Sequence, residues 1–98
     1  MTTIWKYEIP IEDKFSIDMP KHAKVLSFQC QKGVPTIWCL VASDDKIEKK
    51  EFRLYGTGHD LIDKNRDALR NIYWDFVGTI QMFDGDLVYH LFEKHNNK

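Results

Sequence analysis

The residues best suited to chemistry lie between Tyr55 and Asp60, where two glycines and a histidine follow a strand-like run and precede a helix-like run. Glycine tolerates positive φ and lets a ligand approach the backbone closely, and the first amides of a helix can hold an anion. We therefore predict a small anionic ligand site, for example for a nucleotide signal, at Gly56, Thr57, Gly58 and His59. The alternative is that the two glycines only turn the chain from strand to helix.

This stretch does not carry the common nucleotide-binding motifs. It lacks the further glycine of a dinucleotide fingerprint and the Gly-Lys-Ser/Thr ending of a P-loop, and no parallel βαβ pattern surrounds it. The sequence therefore argues against both of these nucleotide-binding folds.

The histidines do not form a metal-site pattern. His22, His59, His90 and His95 miss the HxH and HxxxH spacings, and no carboxylate–histidine cluster resembles a zinc or iron site. We therefore predict neither a metal nor a cofactor. For His90, which alternates onto one strand face with Val88, we expect a hydrogen-bonded structural role.

Nucleophilic catalysis has little support in the sequence. There is no Gly-x-Ser-x-Gly elbow, neither cysteine adjoins a histidine, and the paired carboxylates at 12–13, 44–45 and 84–86 fall in predicted turns. We predict that the protein is not an enzyme. A weaker alternative is a small phosphodiesterase that uses His59 and His90.

The two cysteines are predicted to be free. Cys30 and Cys39 flank a hairpin turn predicted at 32–35, and pairing about that turn would set Cys30 near Ile37 rather than opposite Cys39. Cysteine among apolar neighbours usually acts as a small buried hydrophobe. This agrees with a reducing compartment.

The elements that would position these residues are mostly strands. Alternating apolar and polar residues predict strands at 3–9, 15–19 and 23–31, the last with Leu26, Phe28 and Cys30 on one face. Residues 36–42 are apolar on both faces, which predicts a central strand covered on two sides. The next strand ends at Gly56, and its charged early part, 48–51, is predicted to lie at a solvated end.

After Gly56 the spacing of apolar residues changes from the period of a strand to that of a helix. Between Asp60 and Trp74, apolar spacings of three, four and seven predict an amphipathic helix. Two β-rich runs, 76–83 and 87–92, follow and are joined through Asp84-Gly85, which suits a type I′ turn. The predicted fold is mainly β (α+β): an antiparallel sheet or small sandwich or roll of six to seven strands, with one helix inserted at about 60–74.

Length and charge narrow the class of protein. The 98 residues form one domain, 1–98, and the formal charge of −1 gives no long-range field to recruit nucleic acid or an anionic membrane. No apolar run reaches the length of a membrane span, and no signal-peptide pattern opens the chain. We predict a cytoplasmic protein.

The chain has more aromatic residues than one core of this size readily encloses. Tryptophan and tyrosine are favoured at the centres of protein interfaces. We predict a protein interface at Trp5, Tyr7, Tyr73 and Trp74, and we assign Trp38 to the core. The alternative is that the four interface candidates also belong to the core.

Five motifs follow one another along most of the chain: IWKYEIP at 4–10, IWCLV at 37–41, YGTGH at 55–59, VGTI at 77–80 and VYHLFE at 88–93. Together they resemble a family of small uncharacterised phage and prophage proteins. The resemblance implies a phage origin but no reaction, because the family is a domain of unknown function. Segment 62–74 is longer than the link usual in that family, so the predicted helix would be a departure from it.

Two functional hypotheses follow from this resemblance. The first is a non-enzymatic phage accessory protein in the host bacterial cytosol, which binds a host protein, such as a component of antiviral defence, through exposed aromatics. The second is sequestration of a small anionic ligand at the Gly56–His59 junction, with assembly into a homo-oligomer left open. Membranes and nucleic acids are not expected as partners.

Overall fold

The computed structural model describes residues 1–58 and 74–95, which form seven antiparallel strands in two sheets. The strands are β1 (Thr2–Glu8), β2 (Lys14–Pro20), β3 (Lys24–Gln31), β4 (Val34–Ala42), β5 (Ile47–Gly56), β6 (Trp74–Met82) and β7 (Leu87–Lys94). The predicted mainly β fold is confirmed. The helix predicted at about 60–74 lies outside the described residues except for Trp74, which begins β6 instead of ending a helix.

Each sheet joins strands that are distant in the sequence. Sheet A has the order β1-β4-β3, and sheet B has the order β2-β5-β7-β6. The β3–β4 and β6–β7 pairs are local hairpins, whereas β5 pairs with β2 and β7 across longer connections. The sheets meet where β3 packs against β6. In the described ranges no helix is long and apolar enough to cross a membrane.

Strand β4 is central in sheet A, as predicted, but its outer face is buried only at Thr36. Ile37, Cys39 and Val41 point into the core, where they pack with residues of sheet B such as Phe52 and Leu91. The opposite face is not fully covered: Trp38 is only half-buried and Leu40 is exposed. The prediction of a strand covered on two sides, with Trp38 in the core, is therefore wrong.

A bulge in β3 changes which residues face the core. The register with β4 shifts between Val25 and Ser27, so Val25 packs against the core and Leu26 is exposed. A bulge adds one residue to a strand and breaks the alternation beyond it. The predicted shared face of Leu26, Phe28 and Cys30 is therefore wrong for Leu26.

Both predicted hairpins are present, with small changes in register. Lys32 (φ 50°) and Gly33 (φ 81°) form the turn between β3 and β4, which places Cys30 opposite Pro35 rather than near Ile37. In the β6–β7 hairpin two turns overlap: the amide of Gly85 donates to the Met82 carbonyl at 3.2 Å, and the amide of Asp86 donates to the Phe83 carbonyl at 3.1 Å. Asp84 (φ 57°) and Gly85 (φ 91°) are therefore the central residues of one turn, as predicted, and Phe83 (φ 53°) and Asp84 are those of the other.

Candidate functional site

The glycine stretch forms the end of β5. Gly56 is the last residue of the strand and pairs with Tyr89, and the Thr57 amide extends the pairing by donating to the Val88 carbonyl at 3.0 Å. Gly58 follows with φ 79°, a conformation that favours glycine. His59 lies outside the described residues. The predicted ligand site at this junction therefore stays a prediction.

His90 is held between two threonine hydroxyls. Its Nε2 lies 2.7 Å from Thr57 Oγ1, and its Nδ1 lies 2.9 Å from Thr79 Oγ1. A neutral imidazole has one donor and one acceptor nitrogen, and a hydroxyl can complement either. Both ring nitrogens are therefore engaged, which confirms the predicted hydrogen bonding, and the structural role stays a prediction. The hydroxyl of Thr57, a candidate ligand residue, is already used in this contact.

The predicted interface aromatics lie in different environments. Trp5 is 37% exposed on β1, Tyr7 is half-buried against the core, and burial raises the pKa of its phenol. Trp74 is buried, with the guanidinium carbon of Arg53 lying 4.2 Å from its ring centre. Tyr73 lies outside the described residues. Of the three described candidates, Trp5 is the one open to a partner.

Trp5 adjoins an apolar surface that the sequence did not indicate. Ile4, which is 54% exposed, pairs with exposed Leu40 on the outer face of sheet A, and Trp38 lies further along the same face of β4. β1 is one of the two edge strands of this sheet and, in the described part of the chain, pairs only with β4. We call Ile4, Trp5 and Leu40, together with the open side of β1, the β1 edge surface.

A charged pair lies close to the core of sheet B. Lys50 Nζ is 3.5 Å from Glu93 Oε1, and the two side chains are 18% and 22% exposed. Burial raises the pKa of Glu93, and the Lys50 charge opposes that shift only in part. The pKa of Cys39 is raised to about 11, first by burial and then by Glu93. The Cys39 thiol is therefore protonated at neutral pH and is a poor nucleophile.

A cationic cleft lies beside this pair. It has a volume of about 470 Å³ and opens between the β2–β3 turn, the early part of β5 and the end of β7. Its polar lining consists of four lysines, two histidines and two glutamates: Lys21, Lys49, Lys50, Lys94, His22, His95, Glu48 and Glu51. Sequence reasoning missed this cleft because its three segments are far apart in the chain. The charged residues at 48–51 by themselves predict only a solvated strand end.

The described residues hold no group of three or more His, Cys, Asp or Glu side chains placed to bind a metal ion. Two sets of polar contacts involve histidines: the His90 hydroxyl bridge, and a pair between His95 Nδ1 and Asp75 Oδ2 at 3.0 Å. Both are pairwise hydrogen-bonded arrangements. They position side chains instead of assembling a coordination sphere.

A protein-family model matches the whole chain. A family model described as a domain of unknown function, DUF7352, matches residues 1–98, so the chain belongs to that family. No curated protein and no solved structure is significantly similar to it.

Proposed function

We propose that this DUF7352 member is a non-enzymatic, phage-derived accessory protein that binds a host protein in the bacterial cytosol. We further propose that an extended segment of that partner adds a strand to β1. The observation that carries the proposal is the exposure of Trp5 and Ile4, at 37% and 54%, on a strand whose outer side is open in the described structure.

An open edge strand is a template for another chain, and proteins usually protect such edges with charge, proline or short length. β2, an edge of sheet B, follows this rule, since it carries Lys14, Asp18 and a terminal Pro20. β1 has the same length and also carries two charged residues, Lys6 and Glu8, but it has no proline. β1 is therefore less protected than β2.

The lysine of β1 is also turned away from a protective position. Lys6 Nζ donates to Gln31 Oε1 of β3 at 2.9 Å, so its side chain crosses the outer face of the sheet over β4. Its charge is drawn towards β3 and away from the open side of β1. An incoming strand would not have to displace or desolvate an edge lysine.

The β1 edge surface also offers contacts on both faces of an added strand. Trp5 pairs with Cys39 on the inner side, whereas Ile4 pairs with Leu40 on the outer side. In strand addition, main-chain hydrogen bonds give affinity and alternate side chains give specificity. The partner segment that fits is extended and carries apolar residues at alternate positions.

Two further observations support binding rather than catalysis. Both ring nitrogens of His90 are engaged by hydroxyls, and the Cys39 thiol is kept protonated by its raised pKa. The choice of a host protein as partner is supported by the resemblance of five sequence motifs to phage and prophage proteins. Trp74 is not part of the proposed interface, because its side chain is buried.

The test compares two isoleucines of equal exposure. Ile4→Lys charges the β1 edge surface, and Ile47→Lys places the same charge on β5, where Ile47 is 53% exposed. Wild type and both variants are used to capture proteins from lysate of the bacterial host. We expect a captured protein that is lost with Ile4→Lys, retained with Ile47→Lys, and able to slow hydrogen exchange at the β1 amides.

Other outcomes would overturn the proposal. Equal capture by both variants, or a complex that leaves β1 exchange unchanged, would place the interface elsewhere. If light scattering shows a wild-type dimer that Ile4→Lys dissociates, then the strand that covers β1 is that of a second copy.

A further inference from the structure

The cationic cleft has the dimensions and charge of a small-molecule site. Its volume of about 470 Å³ falls within the usual range for ligand pockets, roughly 300–1,000 Å³. Four lysines line it against two glutamates, together with two histidines. The protein as a whole carries a formal charge of −1, so this positive charge is a local concentration.

Two of the lysines have no ion-pair partner among the described residues. Lys94 is paired with Glu51 at 3.0 Å and Lys50 with Glu93 at 3.5 Å, whereas Lys21 and Lys49 form no ion pair with any residue of 1–58 or 74–95. Asp18 lies opposite Lys49 in the strand register but not within ion-pair distance. Glu48 also lines the cleft without an ion pair to a described residue, so two lysines stand against one glutamate and leave a net charge of +1. A concave surface with excess positive charge attracts anions.

The turn that carries Lys21 is strained. The Ala23 amide donates to the Pro20 carbonyl at 3.1 Å, which closes a turn with His22 as its third residue at φ 67°. Glycine or asparagine normally fills such a position, because other residues are strained there. Strained residues cluster at functional sites, where the side chain is kept in spite of its cost. His22 lines the cleft.

From the volume, the two unpaired lysines and the strained histidine, we infer that the cleft binds a small phosphorylated anion, up to the size of a nucleotide. Lys21 and Lys49 supply the uncompensated charge, and His22 donates a ring N–H to a phosphate oxygen. This site is separate from the Gly56–His59 junction and does not depend on the β1 edge surface.

The first test uses calorimetric titration with pyrophosphate and with ATP, and with adenosine as the phosphate-free control. Lys21→Gln and Lys49→Gln should each weaken binding about tenfold, because a charge-assisted hydrogen bond is lost. Lys32→Gln makes the same charge change at the far end of β3 and should leave binding unchanged. If Lys32→Gln weakens phosphate binding equally, the effect depends only on the net charge of the protein, and the proposed site is wrong.

The second test separates binding from folding. His22→Gly should raise the unfolding midpoint, because glycine relieves the positive φ, and at the same time weaken phosphate binding. Lys32→Gly relieves a similar φ of 50° and should raise the midpoint without changing binding. If His22→Gly leaves the affinity unchanged, His22 is not a ligand and the inference from its strain is wrong.

Amide chemical-shift mapping locates the bound anion. We expect changes at 19–23, 48–51 and 94–95 on addition of pyrophosphate. Changes confined to 56–58 would move the site to the glycine junction. Adenosine binding without pyrophosphate binding, or no heat with either phosphate, would also overturn the proposal.

Discussion

The pair formed by Lys50 and Glu93 gives the sharpest quantitative prediction. Lys50→Met leaves Glu93 in a poorly solvated position without its counter-charge. Breaking a fully buried pair by removing one partner costs about 3–5 kcal/mol, and an exposed pair is worth about 0–1 kcal/mol. With side chains 18% and 22% exposed, we expect a loss of about 2 kcal/mol in the free energy of unfolding at pH 7.5.

The pH dependence of this loss follows from the raised pKa of Glu93. A carboxyl whose pKa is raised in the fold contributes fully to stability at a pH below its ordinary pKa of 4.5. It loses that contribution as the pH rises through the raised pKa. Without Lys50 the pKa rises further. The cost of Lys50→Met should therefore shrink towards zero near the ordinary pKa, where Glu93 is protonated in the fold.

The assay is urea unfolding followed by tryptophan fluorescence at both pH values. Lys94→Met is the control, because its pair with Glu51 is 49% and 44% exposed and should cost about 0.5 kcal/mol or less. Lys50→Met combined with Glu93→Leu should recover most of the loss at pH 7.5. A loss equal at the two pH values, or equal to that of Lys94→Met, would refute the assignment of Glu93 as a charge dependent on Lys50.

Two further predictions concern stability and reactivity. Phe83→Gly should stabilise the fold by about 1 kcal/mol in urea unfolding, because Phe83 is 69% exposed and has φ 53°, a conformation costly for a bulky residue; a lower midpoint would show that the ring makes contacts that outweigh the strain. Cys39, with its pKa of about 11 and no exposed surface, should react with a thiol reagent far more slowly than the half-buried Cys30 at pH 8, as measured by mass spectrometry of labelled peptides. Equal labelling of the two cysteines in the folded protein would contradict this.

The local elements of the fold could be predicted because their signals lie within short windows. The period-two alternation located the strands, and Lys32-Gly33 and Asp84-Gly85 located both hairpins. The error within a strand comes from a single-residue shift. The bulge at Leu26 moves side chains by one position, which no propensity in the sequence marks.

The surfaces were harder to predict than the strands, because they depend on long-range pairing. The apolar character of Trp38 and Leu40 was recognised, but whether a second layer covers that face depends on how the sheets pack. The cationic cleft joins the β2–β3 turn to β5 and the end of β7. Taken separately, the sequences of these three segments predict only a solvated turn, a solvated strand end and a polar tail.

The strand order also separates the two proposed sites. The β1 edge surface lies at one edge of sheet A, whereas the cleft is formed by the β2–β3 turn with β5 and β7 of sheet B. The two sites have no residue in common. Coupling between two sites requires a difference in free energy that each ligand imposes on the other. Such coupling needs an element that has two arrangements and contacts both sites. The strands between these two sites instead pack together in one core. We therefore expect Ile4→Lys to leave pyrophosphate affinity unchanged and Lys21→Gln to leave partner capture unchanged; if either substitution abolishes both activities, the two surfaces act as one site.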